Sequence, residues 1–233
     1  MKKDLKELEK NIKVKFTNKN LLKQALTHRS YINEHQNDKL GKIGHNERLE
    51  FLGDAVLELI VTESLYKKYT NPEGELTNWR ASLVNAKMLS IIAKEINLDN
   101  FLYLSKGEAQ DKDSKARNYI LANALEALIG AIYLDKGFKK TKQFVDKFIL
   151  IKLKEIIEKQ LYLDPKSRFQ EFAQDKYTIT PNYKVLAESG PDHKKHFIIG
   201  VYLGDKLIAQ GEGYSKQEAQ VDAAEKALKS HEL

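Results

Sequence analysis

The hydrophobic period changes once along this chain, near Leu163-Asp164-Pro165, and the change limits what each side can fold into. Before it, apolar residues recur at i, i+3, i+4 and i+7 through 48–69, 81–96 and 119–134, the stripe of helices with a buried face. Asn71-Pro72-Glu73-Gly74 interrupts that stripe and predicts separate helices. Residues 138–161 are expected to continue helically, with Phe144, Phe148, Ile151 and Ile156 set among many lysines. After Pro165 comes a short helix with Phe169, Phe172 and Ala173 on one face. Period-two segments follow. Tyr183, Val185 and Ala187 alternate with Lys184, Leu186 and Glu188, His196 to Leu203 is β-branched and aromatic, and Leu207 to Gly213 is short. Ser189-Gly190-Pro191-Asp192 and Gly204-Asp205 supply turns between them. A last helix, about Ser215 to Ser230, has Ala219, Ala223, Ala224, Ala227 and Leu228 as its inner stripe. Helix, three strands and helix in so short a span make an α+β module with its own core.

With 233 residues and a 42% hydrophobic share, the chain can bury a core in each part. It has no cysteine, which excludes disulfide frameworks, thiol nucleophiles and cysteine zinc sites. No stretch reaches the ~18 apolar residues of a transmembrane helix. No apolar run follows Met1, so the expectation is a cytoplasmic protein without membrane association. The net charge of +6 leans toward an anionic partner. All of it lies before residue 165, because residues 165–233 carry 10 basic and 10 acidic side chains. Phosphate-cradling G-x-x-x-x-G-K-[ST] and dinucleotide G-x-G-x-x-G motifs are absent, so no nucleotide cofactor is expected. His28, His35 and His45 lack zinc-type spacing. The lysine-rich stretch from Lys136 to Lys154 reads as a solvated helix face.

The most informative segment is Asn46-Glu47-Arg48-Leu49-Glu50-Phe51-Leu52-Gly53-Asp54. At ~100° per residue, Glu47, Glu50 and Asp54 fall within roughly 60° of one another on a helix. Leu49, Leu52, Val56, Leu57 and Leu59 make the rest of that helix apolar. Acids on a largely buried helix are costly unless neutralised. Hard divalent cations neutralise them through oxygen ligands. A second helix, Ile120 to Ala131, sets Asn123 and Glu126 one turn apart among alanine, leucine and isoleucine. Two facing helices that each contribute inward oxygens can build a metal site. Internal salt bridges or solvated edges are the alternative, most open for Glu47 and favoured for Glu58. Spacing names neither the metal nor the reaction.

Asn46 to Asp54 resembles the ribonuclease III signature. Ala25-Leu26-Thr27-His28-Arg29-Ser30-Tyr31, Trp79-Arg80-Ala81-Ser82-Leu83-Val84-Asn85 and Leu125-Glu126-Ala127-Leu128-Ile129-Gly130 match that family in order and spacing. The resemblance implies an all-α, homodimeric endonuclease domain that cleaves double-stranded RNA with Mg2+. Asp54 and Glu126 would be catalytic, with Glu50, Asn123 and Glu126 at the metal and Glu47 and Glu73 as auxiliary acids. Phe51 matches a residue at the dimer interface, an ordinary core aromatic being the alternative. Asn123 departs from the family, where aspartate is frequent. It leaves the site one negative charge short, while its neutral oxygen can still ligate weakly or hold a water.

The second module resembles the double-stranded-RNA-binding domain through Asp164 to Phe172, Gly190-Pro191-Asp192-His193 and Gly211 to Ala219. Such domains read duplex shape across minor grooves and phosphates. The resemblance puts Gln170, Glu171 and His193 in minor grooves and Lys216 on phosphates. Independently, Ser215-Lys216-Gln217-Glu218 fits a capping box, and a lysine in the first turn of a helix suits an anion. Gln217 and Gln220 stand where relatives often carry lysine, which implies modest affinity. The expected organisation is an all-α endonuclease domain over 1–155, a linker over 156–163, and an α-β-β-β-α RNA-binding domain over 164–233. The expected activity leaves 5′-phosphate and 3′-hydroxyl ends and processes structured precursors, ribosomal RNA among them. A catalytically silent, RNA-binding dimer is the alternative, favoured by Asn123 alone.

Overall fold

A computed structural model describes residues 4–35, 37–111, 114–191 and 194–231. The chain divides into two compact units, residues 1–159 and 160–233.

The first unit is helical. It contains α1 (Leu5–Ile12), α2 (Lys19–Ala25), α3 (Arg29–Glu34), α4 (Glu47–Lys68), α5 (Glu73–Val84), α6 (Ala86–Glu95), α7 (Lys106–Gln110), α8 (Lys115–Phe148) and α9 (Leu153–Glu158). The middle of α8 is its core: Leu121, Ala124, Leu125, Ala127, Leu128, Ile129, Ala131 and Ile132 are all buried. α2, α4 and α6 pack on it. Small residues permit the closest of these crossings. A Cβ on Gly53 of α4 would collide with the Glu126 carbonyl, and one on Gly130 of α8 would collide with the Leu49 carbonyl. Backbone therefore meets backbone where the two helices cross.

Two boundaries differ from the periodicity. The stripe over 81–96 is two helices, broken at Asn85. This residue takes an extended conformation, and its side chain accepts from the Met88 N–H to start α6. Asparagine competes for the backbone in this way and so favours caps over helix interiors. Continuous helix over 138–161 gives way after Phe148 to a 3-10 turn at Leu150–Lys152 and then α9. Inside α8, Gly137 has φ 73° and bends the chain sharply, a conformation that favours glycine. Pro72 acts as expected at the α4–α5 break, although Glu73 already belongs to α5.

The second unit contains α10 (Pro165–Tyr177), β1 (Asn182–Ser189), β2 (His196–Leu203), β3 (Lys206–Gly213) and α11 (Lys216–His231). The strands form an antiparallel meander ordered β1-β2-β3, with a bulge between Val185 and Ala187. Alternate β2 residues Phe197, Ile199, Val201 and Leu203 are buried, as period two requires. Phe169 and Ala173 of α10 and Ala223, Ala224, Ala227 and Leu228 of α11 complete that core with Val201 and Leu203. Asp164 starts α10 by accepting from the Lys166 and Ser167 N–H groups, with Pro165 in the first turn. No helix among the described residues is long and apolar enough to cross a membrane.

Candidate active site and RNA interface

The α4–α8 crossing brings the acids of two distant sequence blocks together. Glu50 and Asp54 lie on α4 one turn apart, and Glu126 lies on α8 at the level of Gly53. Their electrostatic coupling is direct. Burial, then the Asp54 and Glu50 charges, push the Glu126 carboxyl up to about 8. Glu50 is also raised, by burial first and then by Glu47 and Asp54, against a hydrogen bond from the Asn123 side chain that favours its charged form. Asn123 is thus part of the cluster, and its amide donates to Glu50.

The chemistry of this set fits a hard cation. Every donor is an oxygen, and burial, helped by the neighbouring Asp54 and Glu50 charges, raises the Glu126 carboxyl to about 8. Among the described residues, no three histidine or acidic side chains converge closely enough to form a finished metal cage. The arrangement is an open cluster of coupled acids rather than a closed coordination shell.

Other residues singled out from the sequence lie elsewhere. Glu47, at the start of α4, faces Arg29 at 3.6 Å and His45 at 3.7 Å. The groups that face Glu47, a guanidinium and an imidazole, thus come from the segment preceding α4. The Thr27-His28-Arg29 block was the available signal, yet spacing along a helix cannot reveal a partner outside that helix. His28 caps α3 and is shifted down, mainly by burial. Glu73 accepts from the Thr77 hydroxyl and lines a separate groove of about 660 Å³ with Thr62, Tyr66, Tyr69 and Arg80. None of Glu50, Asp54 and Glu126 lines that groove. Phe51 is 82% exposed, which overturns the core-aromatic alternative. Leu59 and Tyr66, on the same helix, are also exposed. The expectation of a largely buried α4 thus holds for one face only.

In the second unit Gln170 and Glu171 are exposed on α10, and Ser215 and Lys216 are exposed at the start of α11. The capping box forms in a shifted version. Ser215 Oγ accepts from the Glu218 N–H at 3.1 Å, and the Glu218 carboxylate accepts from the Tyr214 N–H at 3.0 Å. Lys216 Nζ lies 5.8 Å from the centre of the Phe197 ring. His193 lies outside the described residues. Gln220, read above as a missing lysine, accepts from Lys166 Nζ at 2.8 Å, so a cation from α10 stands beside it.

Comparison with known proteins accounts for both units. Residues 18–153 match the family model described as Ribonuclease-III-like, and residues 165–231 match the double-stranded RNA binding motif. The chain is 45% identical to Ribonuclease 3 of Borreliella afzelii over 99% of its own length and 93% of that protein's. It is 43% identical to Ribonuclease 3 of Dehalococcoides mccartyi, over 98% of this chain and 95% of that one. The nuclease domain of ribonuclease III from Campylobacter jejuni superposes with a TM-score of 0.54 at 41% identity, covering 63% of this chain and 96% of that domain. The likeness to these Ribonuclease 3 proteins runs along almost the whole chain, across both the helical unit and the α-β-β-β-α module. This chain belongs to the ribonuclease III family and is an endoribonuclease for double-stranded RNA.

Proposed function

We propose that this endoribonuclease is Mg2+-dependent, works as a homodimer, and leaves 5′-phosphate and 3′-hydroxyl ends on structured precursors, ribosomal RNA among them. The supporting observation is the coupling of Glu50, Asp54 and Glu126 at the α4–α8 crossing. Glu50, Asp54 and Glu126 would hold the cation. When bound, it polarises the phosphodiester, activates water and stabilises the leaving 3′-oxygen in an in-line displacement. Asp54 and Glu126 are assigned the chemistry. Asn123 orients Glu50 through its amide, and the oxygen of that amide is left to accept from water or to ligate weakly. Burial and the neighbouring carboxylates raise the Glu126 carboxyl to about 8, so its proton would have to leave before it could hold a cation, and metal affinity would rise with pH.

Glu47, held by Arg29 and His45, and Glu73, beside the Tyr66 groove, are assigned as auxiliary acids. Phe51 is assigned to the subunit interface, because a phenylalanine 82% exposed on a rigid helix is a natural anchor for a second copy. The relative from Campylobacter jejuni has a region involved in dimer formation in its nuclease domain, which supports this. The second unit grips the duplex, with Gln170, Glu171 and His193 in minor grooves and Ser215 and Lys216 at phosphates. The functional division is an endonuclease domain over 1–155, a linker over 156–163 and an RNA-binding domain over 164–233. The enzyme is assigned to the cytoplasm.

The test is incubation of a long RNA duplex with the full chain, with Mg2+ and with chelator, followed by analysis of the product ends. Cutting only with Mg2+, with 5′-phosphates, is expected. Equal cutting in chelator, or 3′-phosphate ends, would overturn the proposal.

A further inference from the structure

A small cleft lies along the second half of α8. Lys140 and Lys147, two turns apart, border this cleft of about 190 Å³, whose other wall is the end of α1. Lys13 stands on that wall. Ile12, Val14, Phe144 and Phe148 form an apolar, aromatic floor, and Gln143 adds an amide. Among the described residues, no acidic side chain lines the cleft. Neighbouring lysines are neutralised: Lys142 by Asp146, Lys136 by Asp135, Lys152 by Glu95. Among the described residues, Lys13, Lys140 and Lys147 have no acidic partner. Lys140 bonds only the Gln143 oxygen, at 3.1 Å, and Lys147 lies 5.5 Å from the centre of the Phe148 ring.

Lys13, at the rim of the cleft, takes the left-handed conformation (φ 57°) that caps the C-terminus of α1. Three unneutralised ammonium groups around one concavity repel one another and raise the local concentration of anions. Lysine binds phosphate as a point charge. The volume sets the size of the ligand, since it falls below the ~300–1,000 Å³ of drug-sized sites. It accepts a phosphoryl group with little more than its sugar, whose apolar edge would lie on the phenylalanines.

We propose that the cleft between the end of α1 and the second half of α8 binds a phosphoryl group, from a free phosphate monoester or from an RNA strand. It is separate from the acid cluster, sharing no residue with α4, and it does not depend on the catalytic reading.

The experiment compares the full chain with the K140A/K147A and K140R/K147R variants, all without divalent metal. One arm is calorimetric titration with inorganic phosphate and ribose 5-phosphate. The other is binding of a labelled RNA duplex across a salt series. A loss of at least fivefold in affinity in the alanine variant, restored by arginine, is expected in one arm. Loss confined to ribose 5-phosphate or phosphate identifies a free ligand. Loss confined to the duplex, with a salt slope shallower by up to about 2, identifies a strand phosphate. Equal affinity of all three proteins in both arms would overturn the proposal, as would failure of arginine to restore binding. Both alanines lie on an exposed helix face, and an unchanged melting temperature confirms that the fold is intact.

Discussion

At Glu126 the proposed cation-binding role opposes stability. Its folded carboxyl titrates near 8 against an ordinary value of 4.5, because burial and two neighbouring carboxylates disfavour its charge. Between those values the native state binds the extra proton, so stability falls as pH rises through the window. The metal-free protein is expected to melt at progressively lower temperature from pH 5 to pH 8, and Glu126→Gln is expected to flatten that slope and melt above wild type at pH 8. Calorimetric melts of both proteins in chelator decide it; identical slopes would show that Glu126 is not the group responsible. Asn123→Asp adds a carboxylate to a cluster already short of positive charge. It is expected to lower the Mg2+ concentration needed for half-maximal cutting while destabilising the metal-free protein. A raised requirement, measured by cleavage across a Mg2+ series, would place Asn123 outside the metal's reach.

At the scale of elements, the site exists because α4 and α8 touch through glycine. Gly53→Ala places a methyl group on the Glu126 carbonyl, which is rigid backbone and cannot swing aside. The helices must separate, at about 3 kcal/mol, the upper end of overpacking costs. Urea denaturation should show this loss, together with reduced cutting, since Glu126 and Asp54 move apart. A variant of wild-type stability would mean the crossing is looser than described.

Much of this was legible in the sequence, because helix angle alone groups Glu50 with Asp54, and Asn123 with Glu126. The β-branched and aromatic run from His196 to Leu203 likewise marked β2 as a strand. What remained hidden depends on contacts between segments. Gly53 and Gly130 carry no periodic signal that says two helices meet there. The Arg29 and His45 partners of Glu47 come from outside its helix. The break at Asn85 is a capping decision that apolar periodicity ignores. The cleft at Lys140 needs α1 to supply its other wall.

For the whole molecule, charge divides the labour. Residues before 165 carry the entire +6, while the RNA-binding unit is neutral and acts through placement of groups such as Lys216. A fragment of residues 1–155 is expected to cut duplex RNA at low salt, where attraction to phosphates is long-ranged. It should lose activity before the full chain as salt approaches physiological strength, where screening shortens to about 8 Å. Cleavage rate against salt for both proteins on one duplex checks this, and parallel curves would assign the second unit a role other than added affinity.

The proposed function assigns cation-dependent cutting to acids from two helices and the grip on the duplex to the second unit. The direct measurement is cleavage and binding of a single RNA duplex by wild type and Glu126→Gln in Mg2+. The expected result is a loss of cutting beyond the about 100-fold typical of residues that merely support a metal ligand, with duplex affinity unchanged. Wild-type cutting by the variant would contradict the account, and so would a fall in binding that matches the fall in cutting.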